Sequence, residues 1–156
     1  MKHMLKGIIS LFVLISLITG KSSFAQEVEY KRSFNWELLY EVEGVNFFYK
    51  NCEFHDDYNG IHTEYVIFRI ENTRDDNVVV SYDLQMYYNN ECFNCNSIGK
   101  KEYHLEKTVF ANDFLESCCG ADRIKGMSMC SRFLQFEVKE TVLTKFELVN
   151  LHITKL

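Results

Sequence analysis

The stretch Val78-Val-Val-Ser-Tyr-Asp-Leu-Gln-Met-Tyr-Tyr88 decides the fold, because an apolar or aromatic residue occupies every even position from 78 to 88. The odd positions include Ser81, Asp83 and Gln85. Successive side chains of a β-strand point to opposite faces, so this alternation predicts a strand with one buried face and one face in water. The spacing of three or four residues that marks an amphipathic helix fits this stretch poorly.

A second alternation lies between residues 34 and 42. The apolar side chains stand at the even positions, which are Phe34, Trp36, Leu38, Tyr40 and Val42. Polar Asn35, Glu37 and Glu41 stand between them, and Leu39 is the one exception. We therefore expect a strand whose even face, including Trp36, packs in the core rather than against a ligand.

Six further segments fit strands with weaker alternation. They are Glu27–Ser33, Val45–Phe54, Glu64–Glu71, Lys101–Val109, Met127–Val138 and Lys145–Thr154. Turn-forming residues separate them, for example Glu43-Gly44 and the run Asn72–Asn77. Residues Ala111–Gly126 have no steady period and are predicted to form a long loop, which is either tied by disulfides or functional.

Seven or eight short strands without an intervening amphipathic helix predict an all-β fold with antiparallel pairing, either a sandwich or a small barrel. The unequal loop lengths favour an immunoglobulin-like β-sandwich with Greek-key crossings. The sequence shows no linker or internal repeat, so residues Gln26–Leu156 are expected to form a single domain with one core.

The first 25 residues predict an export signal. Met1–Lys6 is basic, Gly7–Thr19 is almost wholly apolar, and Ser23-Phe24-Ala25 places small residues where a signal peptidase cleaves. We expect cleavage before Gln26 and a secreted or periplasmic chain with no membrane insertion after cleavage. The alternative is an N-terminal membrane anchor, although the apolar stretch is short for a hydrocarbon core of about 30 Å.

Charge and composition narrow the possible partners. The leader contains Lys2, Lys6 and Lys21 but no acid, so the rest of the chain carries a net charge of −8 rather than the −5 of the whole sequence. An acidic chain argues against nucleic-acid and anionic-membrane partners. A hydrophobic content of 47% excludes a disordered chain, and the lack of proline excludes collagen and proline-rich stalks.

All six cysteines, Cys52, Cys92, Cys95, Cys118, Cys119 and Cys130, follow the leader and are predicted to form three disulfides in an oxidising compartment. A bond between adjacent Cys118 and Cys119 would be strained, so each is expected to pair with a distant partner. Cys92-Phe-Asn-Cys95 also has the spacing of thiol oxidoreductases, but no helical period follows it to lower a thiol pKa. A zinc site on Cys92 and Cys95 with Cys118, Cys119 or His104 is a further alternative.

Other residues could bind a metal or a ligand. His55, Asp56, Asp57, His62 and Glu64 lie within ten residues, and the alternatives are a metal site and a solvated acidic loop. Asp75-Asp76-Asn77 could offer oxygens to calcium but reads equally as a turn. Tyr87 lies on the polar face of its strand and could stack against a glycan or a partner protein, as could Tyr49, Tyr58, Tyr65 and Tyr103.

Catalytic templates do not fit the chain. It contains no G-x-S-x-G elbow, no phosphate-binding glycine loop and no H-E-x-x-H pair. We therefore expect an exported, non-enzymatic binding module without a cofactor, whose partner is a protein or a glycan. The alternative function is a metal-binding or thiol-redox protein built on Cys92 and Cys95.

Several motifs together resemble a group of small, uncharacterised exported β-sandwich proteins of Bacteroidota. The motifs are Gly44-Val-Asn-Phe-Phe-Tyr-Lys-Asn-Cys52, Ile70-Glu-Asn-Thr73, Val80-Ser-Tyr-Asp83, Tyr87-Tyr-Asn-Asn-Glu-Cys-Phe-Asn-Cys95, Cys119-Gly120, Phe133-Leu-Gln-Phe136 and Lys145-Phe-Glu-Leu-Val-Asn-Leu151. Cys118 and Cys130 are additions to that pattern. The resemblance implies the fold class and export, and it implies neither an activity nor a disulfide pairing.

Overall fold

A computed structural model describes residues 30–135 and 141–156. These residues form nine β-strands and one three-residue 3₁₀ helix, Cys95–Ser97. The strands are β1 (Glu37–Val42), β2 (Val45–Asp56), β3 (Ile61–Asn72), β4 (Val78–Tyr88), β5 (Glu91–Cys92), β6 (His104–Val109), β7 (Asp113–Glu116), β8 (Ser128–Phe133) and β9 (Leu143–Lys155). No helix in the described ranges is long and apolar enough to cross a membrane. The prediction of an all-β fold is confirmed.

The strands form two sheets in which every pairing is antiparallel. In the first sheet β1, β2 and β3 follow one another, and the far edge of β3 pairs with both β7 and β8. In the second sheet β4 pairs with β9 on one edge and with β5 and β6 on the other. Each sheet therefore has one edge built from two short strands.

The two-piece edge of the first sheet is almost continuous. Strand β7 pairs with Arg69–Asn72 and β8 pairs with Thr63–Ile67. Phe68 lies between these segments, and its N–H donates to the Met127 carbonyl while its carbonyl accepts from the Ser117 N–H, both at 3.0 Å. Residues 117–127, the second connector, therefore leave the sheet and rejoin it at the next hydrogen-bonding position.

The second sheet has the same arrangement along β4. Strand β6 pairs with Val78–Asp83, and β5 pairs with Tyr87 and Tyr88. Residues 93–103, the first connector, leave the sheet between these two strands. The two connectors are the longest non-strand segments within residues 78–133, and they border the candidate site.

The inner faces of the two sheets share one hydrophobic core. The even positions of β4 from Val78 to Met86 are at most 6% exposed, which confirms the predicted buried face. The opposite face of β4 is less exposed to solvent than predicted, because Asp83 is 5% and Gln85 is 9% exposed. Asp83 is covered by His104, whose Nδ1 lies 2.9 Å away, and by Asn150, whose Nδ2 donates to it at 2.9 Å.

The predicted even face of β1 is confirmed at Tyr40, which packs against the core, and is wrong at Leu38. Leu39 is buried at 6% exposure, whereas Leu38 is 53% and Phe34 is 50% exposed. The register with β2 shifts between Leu38 and Tyr40, so Leu39 is an extra residue that reverses the alternation. Trp36 is not part of the core; it is half-buried with the Lys50 ammonium 4.3 Å from its ring centroid.

Some predicted boundaries also change. Ala111–Gly126 is not wholly a loop, because it contains β7, and four residues are too few to establish a period. Residues 30–33 run beside β2 without forming a strand, with the Ser33 N–H donating to Asn51 Oδ1 at 3.0 Å. Residues 101–103 form a turn before β6. The predicted leader, residues 27–29 and residues 136–138 lie outside the described residues.

The structure pairs four of the six cysteines. Cys52 bonds to Cys119 and Cys92 bonds to Cys95, while Cys118 and Cys130 are free thiols. Two disulfides thus replace the three expected, and Cys118 lacks the distant partner predicted for it. The Cys52–Cys119 bond ties the second connector to β2, and the Cys92–Cys95 bond closes the start of the first connector.

Candidate functional site

An open cleft of about 720 Å³ lies between the two connectors and the strands behind them. Its size is within the range of roughly 300–1,000 Å³ that small-molecule sites occupy. Residues of β4 and β8 form its floor, and residues of the two connectors form its walls and rim.

The floor of the cleft is apolar. Leu84 and Met86 come from the inner face of β4, and Met129 comes from β8. These side chains are 3%, 6% and 4% exposed, so they belong to the core and offer little area to a ligand. Aromatic side chains lie beside them, with Tyr88 and Phe93 in edge-to-face contact at 5.5 Å between ring centroids. Phe93, which is 64% exposed, is therefore the main apolar side chain that the cleft offers to a ligand.

The first connector is hydrogen-bonded to the exposed edge of β4. The buried Asn94 side chain accepts from the Met86 N–H at 2.9 Å and donates to the Leu84 carbonyl at 2.7 Å. The Leu84 N–H donates to the Tyr103 carbonyl at 2.8 Å. The Asn94 side chain thus makes the hydrogen bonds to β4 that a strand would make in the gap between β5 and β6. It therefore fixes this wall of the cleft.

The second connector is held against β6 at Gly126. This residue has φ +77°, and a Cβ there would lie 3.2 Å from the Leu105 Cβ and 3.3 Å from the His104 carbonyl oxygen. The fully buried Tyr82 hydroxyl donates to the Gly126 carbonyl at 2.8 Å. Glycine is required both by the left-handed conformation and by the close approach, so the opposite wall has a defined position.

The rim of the cleft is positively charged. Lys101, Arg123 and Lys125 line it with a single acid, Glu102. The Arg123 guanidinium also lies 3.8 Å from the Tyr65 ring centroid and donates to the Gly120 carbonyl. The chain as a whole has a net charge of −5, so the sign of the rim is opposite to that of the molecule.

Among the described residues, Cys130 is the only cysteine that lines the cleft. Its backbone carbonyl accepts a hydrogen bond from the Tyr88 hydroxyl at 2.7 Å. Burial raises the pKa of the half-buried Cys130 thiol to about 11, against the lowering effect of Arg123. The thiol is therefore protonated near neutral pH and is a weak nucleophile, which suits a binding role better than thiol chemistry.

The predicted metal residues come together only in part. His55 and His62 are cross-strand partners in β2 and β3 with their Nδ1 atoms 2.9 Å apart. Asp57 Oδ1 lies 3.9 Å from His62 Nε2. Glu64 is fully buried in a separate network. Within residues 30–135 and 141–156, no three His, Cys, Asp or Glu side chains are arranged to hold a metal ion.

Both carboxylate oxygens of Glu64 accept hydrogen bonds in a structural network. One carboxylate oxygen accepts from Asn51 and Ser131, both at 3.0 Å, and the other accepts from Arg32. Burial alone would raise the pKa of the Glu64 carboxyl, but bonds from Arg32 and Ser131 and the charges of Arg32 and Arg132 hold it below its usual value. This network attaches residues 30–33 to the end of the first sheet.

The side chains of the other predicted ion sites contact residues of the same chain. Asp56 accepts from the Asn59 backbone and side chain within its turn. Asp76 pairs with Arg74 at 2.7 Å and with Lys155 at 3.1 Å, which fits the turn interpretation of residues 75–77. Two candidate ligands of the zinc alternative have other partners, because Cys119 is bonded to Cys52 and His104 contacts Asp83.

The predicted ligand-stacking tyrosines do not form a cluster. The half-buried Tyr87 hydroxyl donates to Glu147 at 3.0 Å, and the Lys145 ammonium lies 5.2 Å from its ring centroid. Tyr49 is buried, and Tyr58 is 97% exposed in the turn between β2 and β3. Tyr103 alone among the five lines the cleft.

Sequence reasoning missed most of the cleft. Leu84 and Met86 were expected only as core residues, Met129 was expected only as part of a strand, and Phe93 and Arg123 followed no pattern of their own. The one available signal was the irregular, cysteine-containing connections on either side of β6. Comparison with known proteins finds no matching family model, curated protein or solved structure.

Proposed function

We propose that the protein is an exported, non-enzymatic binding module whose ligand occupies the cleft between the two connectors. The observation that carries this proposal is a preformed cleft between two anchored walls, lined by the exposed Phe93 ring, by Tyr88 and by three cations. A preformed apolar surface loses little conformational entropy on binding, which favours affinity. The expected export and the disulfides bordering both connectors agree with a binding site that must stay formed outside the cytoplasm.

The proposal includes a β-sandwich. The chain crosses from the first sheet to the second at β4, returns at β7 and β8, and crosses again at β9. Crossings of this kind are what Greek-key sandwiches contain. The immunoglobulin-like topology stays a prediction.

The alternative thiol-redox function gains no support from the geometry around Cys92 and Cys95. Among the described residues, the one helix near them is the 3₁₀ helix Cys95–Ser97, whose three residues supply little of the field that lowers a catalytic thiol pKa. We therefore assign this disulfide to holding the first connector.

Binding of the neutral fluorophore Nile red tests the cleft directly. Phe93 is 64% exposed and lines the cleft, so Phe93→Ala is expected to weaken binding about fivefold by removing apolar contact. Phe110 is 60% exposed and does not line it, which makes Phe110→Ala the matched control. Fluorescence titration of both variants gives the two affinities. Equal loss in both variants, or no binding by the wild type, would show that the cleft is not the binding site.

A further inference from the structure

We propose that His55 and His62, near the tip of the hairpin formed by β2 and β3, bind one divalent transition-metal cation of the Ni²⁺ or Cu²⁺ type. Neither residue lines the cleft, so this inference is independent of the proposed binding function. Glu64, which the sequence grouped with these histidines, is not part of the site, because it is fully buried in its own network. The two imidazoles are the protein ligands, and water completes the coordination.

The hairpin places the two imidazoles side by side on one face of the sheet. Strands β2 and β3 are paired without a register shift over all twelve positions, and His55 lies directly opposite His62. Directly opposite residues of an antiparallel pair have their Cβ atoms about 5 Å apart on the same face. The two side chains are 51% and 30% exposed, so a cation reaches them from solvent without any opening of the fold.

The distance between the imidazole nitrogens fits two adjacent positions on one metal. The Nδ1 atoms of His55 and His62 are 2.9 Å apart. Two nitrogens bound at a right angle with bonds of about 2.0–2.1 Å lie about 2.8–3.0 Å apart, whereas a tetrahedral metal separates them by about 3.3 Å. The observed distance therefore favours a square-planar or octahedral cation such as Ni²⁺ or Cu²⁺ over Zn²⁺.

Two carboxylates face the other nitrogens of these rings. His55 Nε2 lies 3.4 Å from Glu53 Oε2, and His62 Nε2 lies 3.9 Å from Asp57 Oδ1. A histidine whose Nε2–H faces a carboxylate presents the lone pair of Nδ1, as metal-ligating histidines do. The ring centroids are 5.2 Å apart, so each Nδ1 is directed at the other. Two lone pairs directed at each other repel unless a proton or a metal cation lies between them.

A metal replaces that proton through ring rotation alone. The two lone pairs converge on one cation when each ring turns by roughly 40° about its Cβ–Cγ bond, a torsion with a broad energy minimum. The paired backbone of the hairpin stays in place. The Asp57 side chain is 94% exposed and already lies beside His62, so its carboxylate is positioned to add an oxygen ligand.

Isothermal titration calorimetry with Ni²⁺ tests the site. The whole chain is used without an affinity tag and with His3→Ala in every protein, so that no imidazole at the N-terminus competes. We expect one Ni²⁺ per chain and at least tenfold weaker binding in His55→Ala and in His62→Ala, because each variant keeps a single imidazole of the pair. His152, an exposed histidine of β9 in the other sheet, supplies the matched control His152→Ala, which should bind Ni²⁺ as the wild type does.

Thermal unfolding separates loss of a ligand from damage to the hairpin. Without metal, the unfolding midpoint shows whether each variant is folded. Added Ni²⁺ should raise the midpoint of the wild type and of His152→Ala but leave those of His55→Ala and His62→Ala unchanged. Ni²⁺ is the probe because, unlike Cu²⁺, it does not oxidise the free thiols of Cys118 and Cys130.

Three results would overturn the assignment and leave the cleft proposal untouched. The first is failure of the wild type to bind Ni²⁺. The second is a loss of affinity in His152→Ala as large as that in His55→Ala and His62→Ala. The third is tighter binding of Zn²⁺ than of Ni²⁺, which would contradict the right-angle geometry of the two nitrogens.

Discussion

Glu64 shows how one buried charge can determine the position of residues 30–33. Its carboxylate is fully buried and accepts from Arg32, Asn51 and Ser131, which belong to three separate parts of the chain. Arg32 and Arg132 have side chains that are 44% and 32% exposed, so loss of the Glu64 charge leaves them partly hydrated, whereas the buried Asn51 and Ser131 lose a charged acceptor.

Replacement of Glu64 by Gln should lower the free energy of unfolding by about 2 kcal/mol at neutral pH, because Asn51 and Ser131 lose a charged acceptor and Arg32 and Arg132 lose their common anion. The folded-state pKa of Glu64 is below its usual value. Its contribution is therefore present above the unfolded pKa of 4.5 and is lost as pH falls through the lower folded value.

Urea denaturation between pH 3 and 7 measures this difference. The wild type should lose the advantage over Glu64→Gln as the pH drops below about 4.5. Glu53, the cross-strand neighbour with a side chain that is 39% exposed, supplies the control variant Glu53→Gln. A constant gap between wild type and Glu64→Gln across the whole range would mean that the carboxylate charge is not what stabilises the network.

The two free thiols differ in their surroundings. Cys118 is exposed, whereas Cys130 is half-buried and burial raises its pKa to about 11. At pH 8 only about one Cys130 in a thousand is a thiolate. Titration with a thiol reagent should find two reactive groups in denaturant and rapid reaction of Cys118 alone in the folded protein. A count of zero in denaturant would instead restore the predicted third disulfide.

At the scale of elements, strand length decided which predictions succeeded. The alternation of β4 persists over eleven residues, and its inner face is buried as predicted. In β1 a single extra residue at Leu39 shifts the register, so Leu38 is exposed while Tyr40 keeps the predicted face. Strand β7 has only four residues and is paired because β3 offers an edge there, so its formation depends on tertiary contact rather than on its own pattern.

The two disulfides are expected to contribute unequally. Cys52 and Cys119 are separated by 67 residues and Cys92 and Cys95 by 3. Loop-closure entropy assigns about 4 kcal/mol to the first bond and about 1.5 kcal/mol to the second. Denaturation of the Cys52→Ser, Cys119→Ser variant and of the Cys92→Ser, Cys95→Ser variant provides the comparison. A larger loss in the second variant would contradict the entropic account.

At the scale of the whole molecule, the cleft exists because both sheets end in a two-piece edge on the same side. Tyr82 in one sheet holds Gly126 in a connector of the other, and Asn94 ties the first connector to β4. The distribution of charge is also a property of the whole molecule, because the chain is acidic overall while the rim of the cleft is cationic. Neither property is visible in any single segment of sequence.

The sequence by itself determined the all-β class, the extent of β2, β3, β4 and β9 to within a few residues, and the buried face of β4, because alternation is a local consequence of strand geometry. Tertiary structure alone decided which cysteines pair, which face of β1 is buried, and that Leu84, Met86, Phe93, Lys101 and Met129 line one cleft. Those outcomes depend on distances between residues far apart in the chain, and such distances are set by how sheets pack and where connectors are anchored.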